Sequence, residues 1–196
     1  MYIKSPEQAI GTVVVLNPNA VMYEFTIYEN ELINFYHSQR INVFLWNYRG
    51  YGRSKGTPSP SKVISDAKII MEYVIKCYLD NENHKIIIHG HSLGGAVASS
   101  LDFPEVNFVL CDWTFKGLYS TSDYMVGKRL GKLFRIGTLN WWSMETVKSY
   151  LNVKCYKVIS CDARDEVIHE IASLKSGISS EILNRKEFWR WILTDH

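Results

Sequence analysis

Ten residues near the middle of the chain constrain its fold more than any others. Ile86-Ile87-Ile88 runs through His89 into Gly90-His91-Ser92-Leu93-Gly94-Gly95, and Ala96-Val97-Ala98 follows at once. The β-branched run reads as a short buried strand, and the small-residue run reads as the start of a helix. Between them, Gly90-His91-Ser92-Leu93-Gly94 fits G-x-S-x-G, in which a serine sits on a sharp strand-to-helix turn with its hydroxyl exposed. Glycines at this spacing supply backbone freedom around a strained serine. An inert glycine-rich connection is the alternative reading of the same residues.

The rest of the chain repeats the alternation. Residues 12–16 (TVVVL), 41–46 (INVFLW), 106–111 and 153–160 read as strands, and 188–193 is a last apolar run. Residues 28–38 carry Leu32, Phe35 and Tyr36 at helical spacing. Residues 61–79 place Val63, Ala67, Ile70, Met71, Val74 and Tyr78 three or four apart, the stripe of an amphipathic helix. A further helix is expected after Glu166. Alternating strands and helices predict an α/β fold with a mostly parallel sheet and helices on both faces. Functional groups in such sheets gather at the carboxyl ends of the strands. The positions to examine are therefore 17–20, 47–54, 89–94, 112–115 and 161–169, with His196 closing the chain.

Composition narrows the class. A chain of 196 residues, 46% hydrophobic and 21% charged, suits one globular domain spanning 1–196. A net charge of +2 makes no case for nucleic acid. Cys77, Cys111, Cys155 and Cys161 form no C-x-x-C pair and no metal-ligand spacing, so buried free thiols and no bound metal are expected. No apolar run is long enough to span a bilayer and Met1-Tyr2-Ile3-Lys4 does not open a signal peptide, which predicts a cytoplasmic protein. Residues 125–136 (MVGKRLGKLFRI) separate Val126, Leu130, Leu133 and Phe134 from Lys128, Arg129, Lys132 and Arg135. Such a basic amphipathic segment suits a helix packed on the domain with a solvated basic face, or peripheral contact with an anionic membrane surface.

A nucleophilic Ser92 needs an acid, a base and donors for an oxyanion. Chains with the G-x-S-x-G turn present the triad in the order serine, acid, histidine. Asp162, Asp165 and Glu166 follow Ser92, and His169 and His196 follow them. The remaining histidines read as bystanders: His37 and His84 on the surface, His89 hydrogen-bonded and partly buried, His91 packed beside the serine. Arg49 and Arg53 read as braces for their own loop, or as attractors of an anionic headgroup.

Four stretches resemble the α/β-hydrolase superfamily, in particular its branch of membrane-associated lipases and protein depalmitoylases. Asn47-Tyr48-Arg49-Gly50-Tyr51-Gly52-Arg53-Ser54 is similar to that family's D/N-Y-R-G-Y-G-x-S loop, and residues 90–95 to its elbow. Asp112-Trp113-Thr114-Phe115 resembles its D-x-x-F segment, and Asp165-Glu166-Val167-Ile168 its acid loop. The resemblance implies an α/β-hydrolase fold, compact and shortened at both ends, with 113–150 as a lid or substrate-access segment. It implies Ser92 as nucleophile, Asp165 as acid in preference to Asp162, and His196 as base in preference to His169. The oxyanion donors would be Leu93 and, from the loop after the first parallel strand, Asn19; Pro18 stands where the family has a glycine and constrains that loop. The implied activity is hydrolysis of acyl esters or thioesters with a lipid-like acyl group, on a small molecule, a lipid or an acylated protein, without a cofactor. A non-catalytic binding module of the same fold is the main rival. A peptidase ranks below both, since nothing resembles an added specificity domain.

Overall fold

All but one of the described strands run the same way. The structure, a computed structural model, describes residues 1–79, 83–119, 143–161 and 168–184. The strands are β1 (Tyr2–Ile3), β2 (Gly11–Leu16), β3 (Ile41–Leu45), β4 (Lys85–His91), β5 (Val106–Asp112) and β6 (Tyr156–Ser160). They form one sheet in the order β1-β3-β2-β4-β5-β6. Only β1 is antiparallel, pairing Tyr2 with Phe44 of β3; the sequence pattern does not predict so short a strand.

Burial on both faces explains why β2 is a continuous apolar run rather than an alternating one. Val13, Val14 and Leu16 are essentially inaccessible. On one face, Val14, Leu16, Phe44, Ile86 and Ile88 pack with Val63, Ala67, Met71 and Val74 of α3 (Pro60–Tyr78) and with α4 (Leu93–Ala98). On the other, Val13, Val15, Val43 and Leu45 pack with Ile33 and Tyr36 of α2 (Glu31–Ser38). Helices thus cover both faces, as the alternation predicts.

Several elements differ from the sequence expectation. The segment 28–38 is not one helix: α1 (Tyr23–Glu29) ends at Asn30, whose φ of 52° breaks the path before α2 begins. Periodicity misses α1 because none of its residues is buried. Val153 caps α5 (Thr146–Asn152) instead of opening β6. Beyond 168, a 3-10 turn (Glu170–Ala172) leads into α6 (Leu174–Asn184), and His169 Nδ1 accepts from the Ile171 N–H at 3.4 Å, the capping role its position suggests.

Two surface expectations are corrected. His84 is buried, its ring hydrogen-bonded to Thr12 Oγ1 at 2.9 Å on the neighbouring strand. Of the four free cysteines only Cys111 is buried; Cys77 lies off the buried stripe of α3 and Cys161 follows the end of β6, and both are exposed. Among the described residues, no helix is long and apolar enough to cross a membrane. Segment 125–136, run 188–193 and residues 120–142 of the 113–150 span lie outside the described residues.

Candidate active site

The chain leaves β2 toward β3 on one side of the sheet, and β4 leads toward β5 on the other. That reversal opens a crevice between the carboxyl ends of β2 and β4, the place where ligands bind in open parallel sheets. Ser92 follows β4 there, and residues 17–22 follow β2.

Ser92 carries the strain of the turn itself. Its φ of 53° and ψ of −111° lie in a region that side-chain-bearing residues rarely occupy, at a cost of about 1–3 kcal/mol. The neighbouring β5 helps to hold it: the Ser92 N–H donates to Asp112 O at 2.8 Å, and Ser92 O accepts from the Gly95 and Ala96 N–H groups. Gly90, Gly94 and Gly95 do not adopt positive φ, so their use differs from the expected backbone freedom. They are needed because there is no space for a side chain. An ideal Cβ on Gly94 would overlap the carbonyl of Leu16, and one on Gly95 would overlap the Thr114 hydroxyl. The start of α4 is thereby pressed against the end of β2, which brings the Leu93 backbone beside the 17–20 loop.

That loop is held by the segment after β3. Tyr48, fully buried, donates its hydroxyl to Asn17 O at 2.9 Å. Burial first, and then the neighbouring Tyr51, push the Tyr48 hydroxyl's pKa up, so it remains a donor at any ordinary pH. Asn17 Nδ2 donates to Trp46 O at 3.1 Å, Asn47 Oδ1 accepts from the Tyr23 N–H at 2.8 Å, and Tyr51 donates to Asn19 Oδ1 at 2.6 Å. Ala20, with φ of 61°, makes the turn. Arg49 forks onto Asp66 of α3 through Nε and Nη2, so it braces its own loop against that helix.

A cluster that the motifs do not announce lies on the α2 side of the sheet. Asp112 Oδ2 is 3.0 Å from His91 Nδ1 and 3.9 Å from His89 Nε2. His89 Nδ1 meets the Tyr36 hydroxyl at 2.9 Å. Burial, and secondarily the charge of Asp112, push the Tyr36 hydroxyl's pKa up, so it stays protonated. His89 Nε2, on the other side of the ring, is buried and lies 3.9 Å from the Asp112 carboxylate, beyond hydrogen-bond distance. Burial works against ionising Asp112, but the groups directed at it, His89, His91 and the Ser160 hydroxyl, outweigh that and hold its carboxyl well below the usual range. His89 is thus hydrogen-bonded and partly buried, as expected, and His91 lies against Asp112 and the Trp113 ring, with centroids 5.6 Å apart. The signal for this cluster was the period of two along β4, which sends residues 89 and 91 to one face.

Cys111 is no rival nucleophile: its thiol faces Gly95 O at 3.4 Å, and burial, only partly offset by Lys157, raises its pKa to about 12. Among the described residues, no group of three His, Cys, Asp or Glu is arranged to hold a metal ion. The structure thus presses the start of α4, just after Ser92, against Leu16 and Asn17, two residues before Asn19. Asp162, Asp165, Glu166 and His196 lie outside the described residues.

Residues 23–103 match the family model described as serine aminopeptidase, S33. The chain is 32% identical over 134 residues to an uncharacterized protein, YfhR, of Salmonella typhi, covering 62% of this chain and 44% of that protein. It is 40% identical over 67 residues to protein bem46 of Schizosaccharomyces pombe, covering 34% of this chain and 22% of that protein. The chain thus spans less than half the length of these relatives. Among solved structures, the Pyrococcus furiosus esterase Pf2001 superposes with a TM-score of 0.67 at 18% identity, over 91% of this chain and 72% of that one. At that identity the likeness speaks for the fold alone.

Proposed function

We propose that this chain is a member of the α/β-hydrolase superfamily and, within it, a serine hydrolase that cleaves acyl esters or thioesters through an acyl-enzyme. The observation that carries the reading is Ser92: a strained serine at a strand-to-helix turn, with the end of β2 pressed against the helix that follows it. Strain of this kind persists only where the surroundings over-determine it, and it clusters at reactive sites.

In this reading Ser92 Oγ attacks the acyl carbonyl carbon while His196 takes the hydroxyl proton. The carbonyl oxygen becomes an oxyanion, met by the N–H groups of Leu93 and Asn19. Collapse breaks the bond to the alcohol or thiol, and His196 returns the proton to that leaving group. Water, deprotonated in turn by His196, releases the acid and restores Ser92. Asp165 fixes the imidazole tautomer and stabilises the imidazolium. No cofactor enters this reading.

A lipid-like acyl group, with a peripheral membrane position through 125–136, is the substrate side of the same proposal. Lipid surfaces suit the basic amphipathic pattern of that segment. The test is a panel of p-nitrophenyl esters of rising chain length, a palmitoyl-thioester peptide and aminoacyl p-nitroanilides. Turnover that rises with chain length supports the reading, turnover confined to the anilides replaces it with a peptidase, and no turnover at all favours a non-catalytic module.

A further inference from the structure

The loop after β3 and the loop after β2 are distant in sequence, yet they form one hydrogen-bonded unit beside Ser92. The former closes on itself. Gly50 and Gly52 turn with φ of 77° and 54°, the Tyr51 N–H donates to Tyr48 O at 3.0 Å, and the Ser54 N–H donates to Tyr51 O at 2.9 Å. This turn sets the Tyr51 ring edge-on to the buried Tyr48 ring, with centroids 5.5 Å apart. From that platform its hydroxyl reaches Asn19 Oδ1 at 2.6 Å.

The loop after β2 is thereby gripped at its start by Tyr48, at its centre by Tyr51 and at its end by Asn47. The three grips differ. Those at Asn17 and Tyr23 are buried or partly buried, whereas the one at Asn19 is exposed to solvent. An exposed hydrogen bond contributes little to stability, because water replaces either partner. Its consequence is orientation. Pro18 fixes its own φ but not that of Asn19, and it leaves the loop without a glycine's latitude. An asparagine carbonyl left free turns readily onto nearby backbone N–H groups. Here that would occupy the donors needed by an oxyanion, or set a partial negative charge beside it.

We propose that Tyr51 is a positioning residue for the oxyanion-binding loop: by donating to Asn19 Oδ1 it holds that carbonyl away from the crevice and leaves the Asn19 N–H to the substrate. The proposal rests on the hydrolase reading above. It assigns a role to the second tyrosine of Asn47-Tyr48-Arg49-Gly50-Tyr51-Gly52 that no step of the chemistry requires.

Tyr51→Phe in the full chain keeps the ring packing and removes only the donor. Its kcat on a p-nitrophenyl ester should fall about tenfold with KM within about twofold, because the oxyanion is bound only as the reaction proceeds. Labelling of Ser92 by a fluorophosphonate should slow by the same factor, while thermal stability stays at the wild-type value. In an Asn19→Ala background the same substitution should add no further loss, since the bond is already absent. Wild-type rates in Tyr51→Phe overturn the positioning role alone. A fall in kcat matched by a large fall in melting temperature also overturns it, in favour of a merely structural role. Absence of Ser92 labelling in the wild-type chain overturns it together with the hydrolase reading.

Discussion

The two walls of the crevice are built by opposite means. The wall bearing Ser92 depends on side chains that are missing: Gly94 and Gly95 let α4 lie directly on the end of β2 and on Thr114. The wall bearing Asn19 depends on side chains that are present, with Tyr48, Tyr51 and Asn47 reaching across from the next loop. The first wall tolerates almost no addition, because Gly94 meets backbone and Gly95 meets the Thr114 side chain. The second tolerates removal in graded steps, because each bond can be lost singly. Rigid placement of a nucleophile and adjustable placement of an oxyanion donor thus come from different physics within one site.

The sharpest way to break this contrast is to add one methyl group to the first wall. Gly94→Ala should cost about 3 kcal/mol or leave no folded protein, since its Cβ meets the Leu16 carbonyl, which cannot swing away. The urea midpoint measures it. A wild-type midpoint would show that the two elements are not in contact.

A smaller effect is expected at the base of the second wall. Tyr48→Phe leaves Asn17 O buried without its partner and should lower stability by about 1–2 kcal/mol. Tyr51→Phe should leave stability unchanged, so the two melting temperatures read side by side separate the buried grip from the exposed one. Equal losses would erase the distinction drawn between them.

A third effect is electrostatic and depends on pH. Asp112 has a folded-state pKa held below its unfolded value, so its ionised form stabilises the fold above the ordinary aspartate pKa of about 3.9. That contribution is lost as pH falls through that value toward the lower folded one. Asp112→Asn should therefore be less stable than wild type at pH 7, with the gap closing below about pH 4. Urea midpoints of both proteins from pH 7 to pH 2 measure the gap, and a gap that widens in acid would reverse the sign assigned to Asp112.

The contrast also explains what could be read from the sequence. The elbow was legible because missing side chains leave a mark: glycines at fixed spacing between an apolar run and a small-residue run. Their physical use was not legible, since spacing does not distinguish a positive φ from a close approach. The parallel sheet was legible from continuous β-branched runs. Helix α1 was not, because it buries no residue and so has no stripe. The brace was hidden for a different reason. Tyr48 and Tyr51 lie 31 and 32 residues from their acceptors Asn17 and Asn19, and only the adjacency of β2 and β3 brings them together. His84 was misplaced by the same blindness, as its partner Thr12 stands 72 residues away.

The central claim is that Ser92 is an activated nucleophile, and a fluorophosphonate probe tests it most directly. The account predicts one labelled residue, Ser92, with labelling abolished in Ser92→Ala while that variant keeps its fold, since the hydroxyl packs nothing in the core. Labelling that persists in folded Ser92→Ala, or a wild-type protein that never labels, would contradict it.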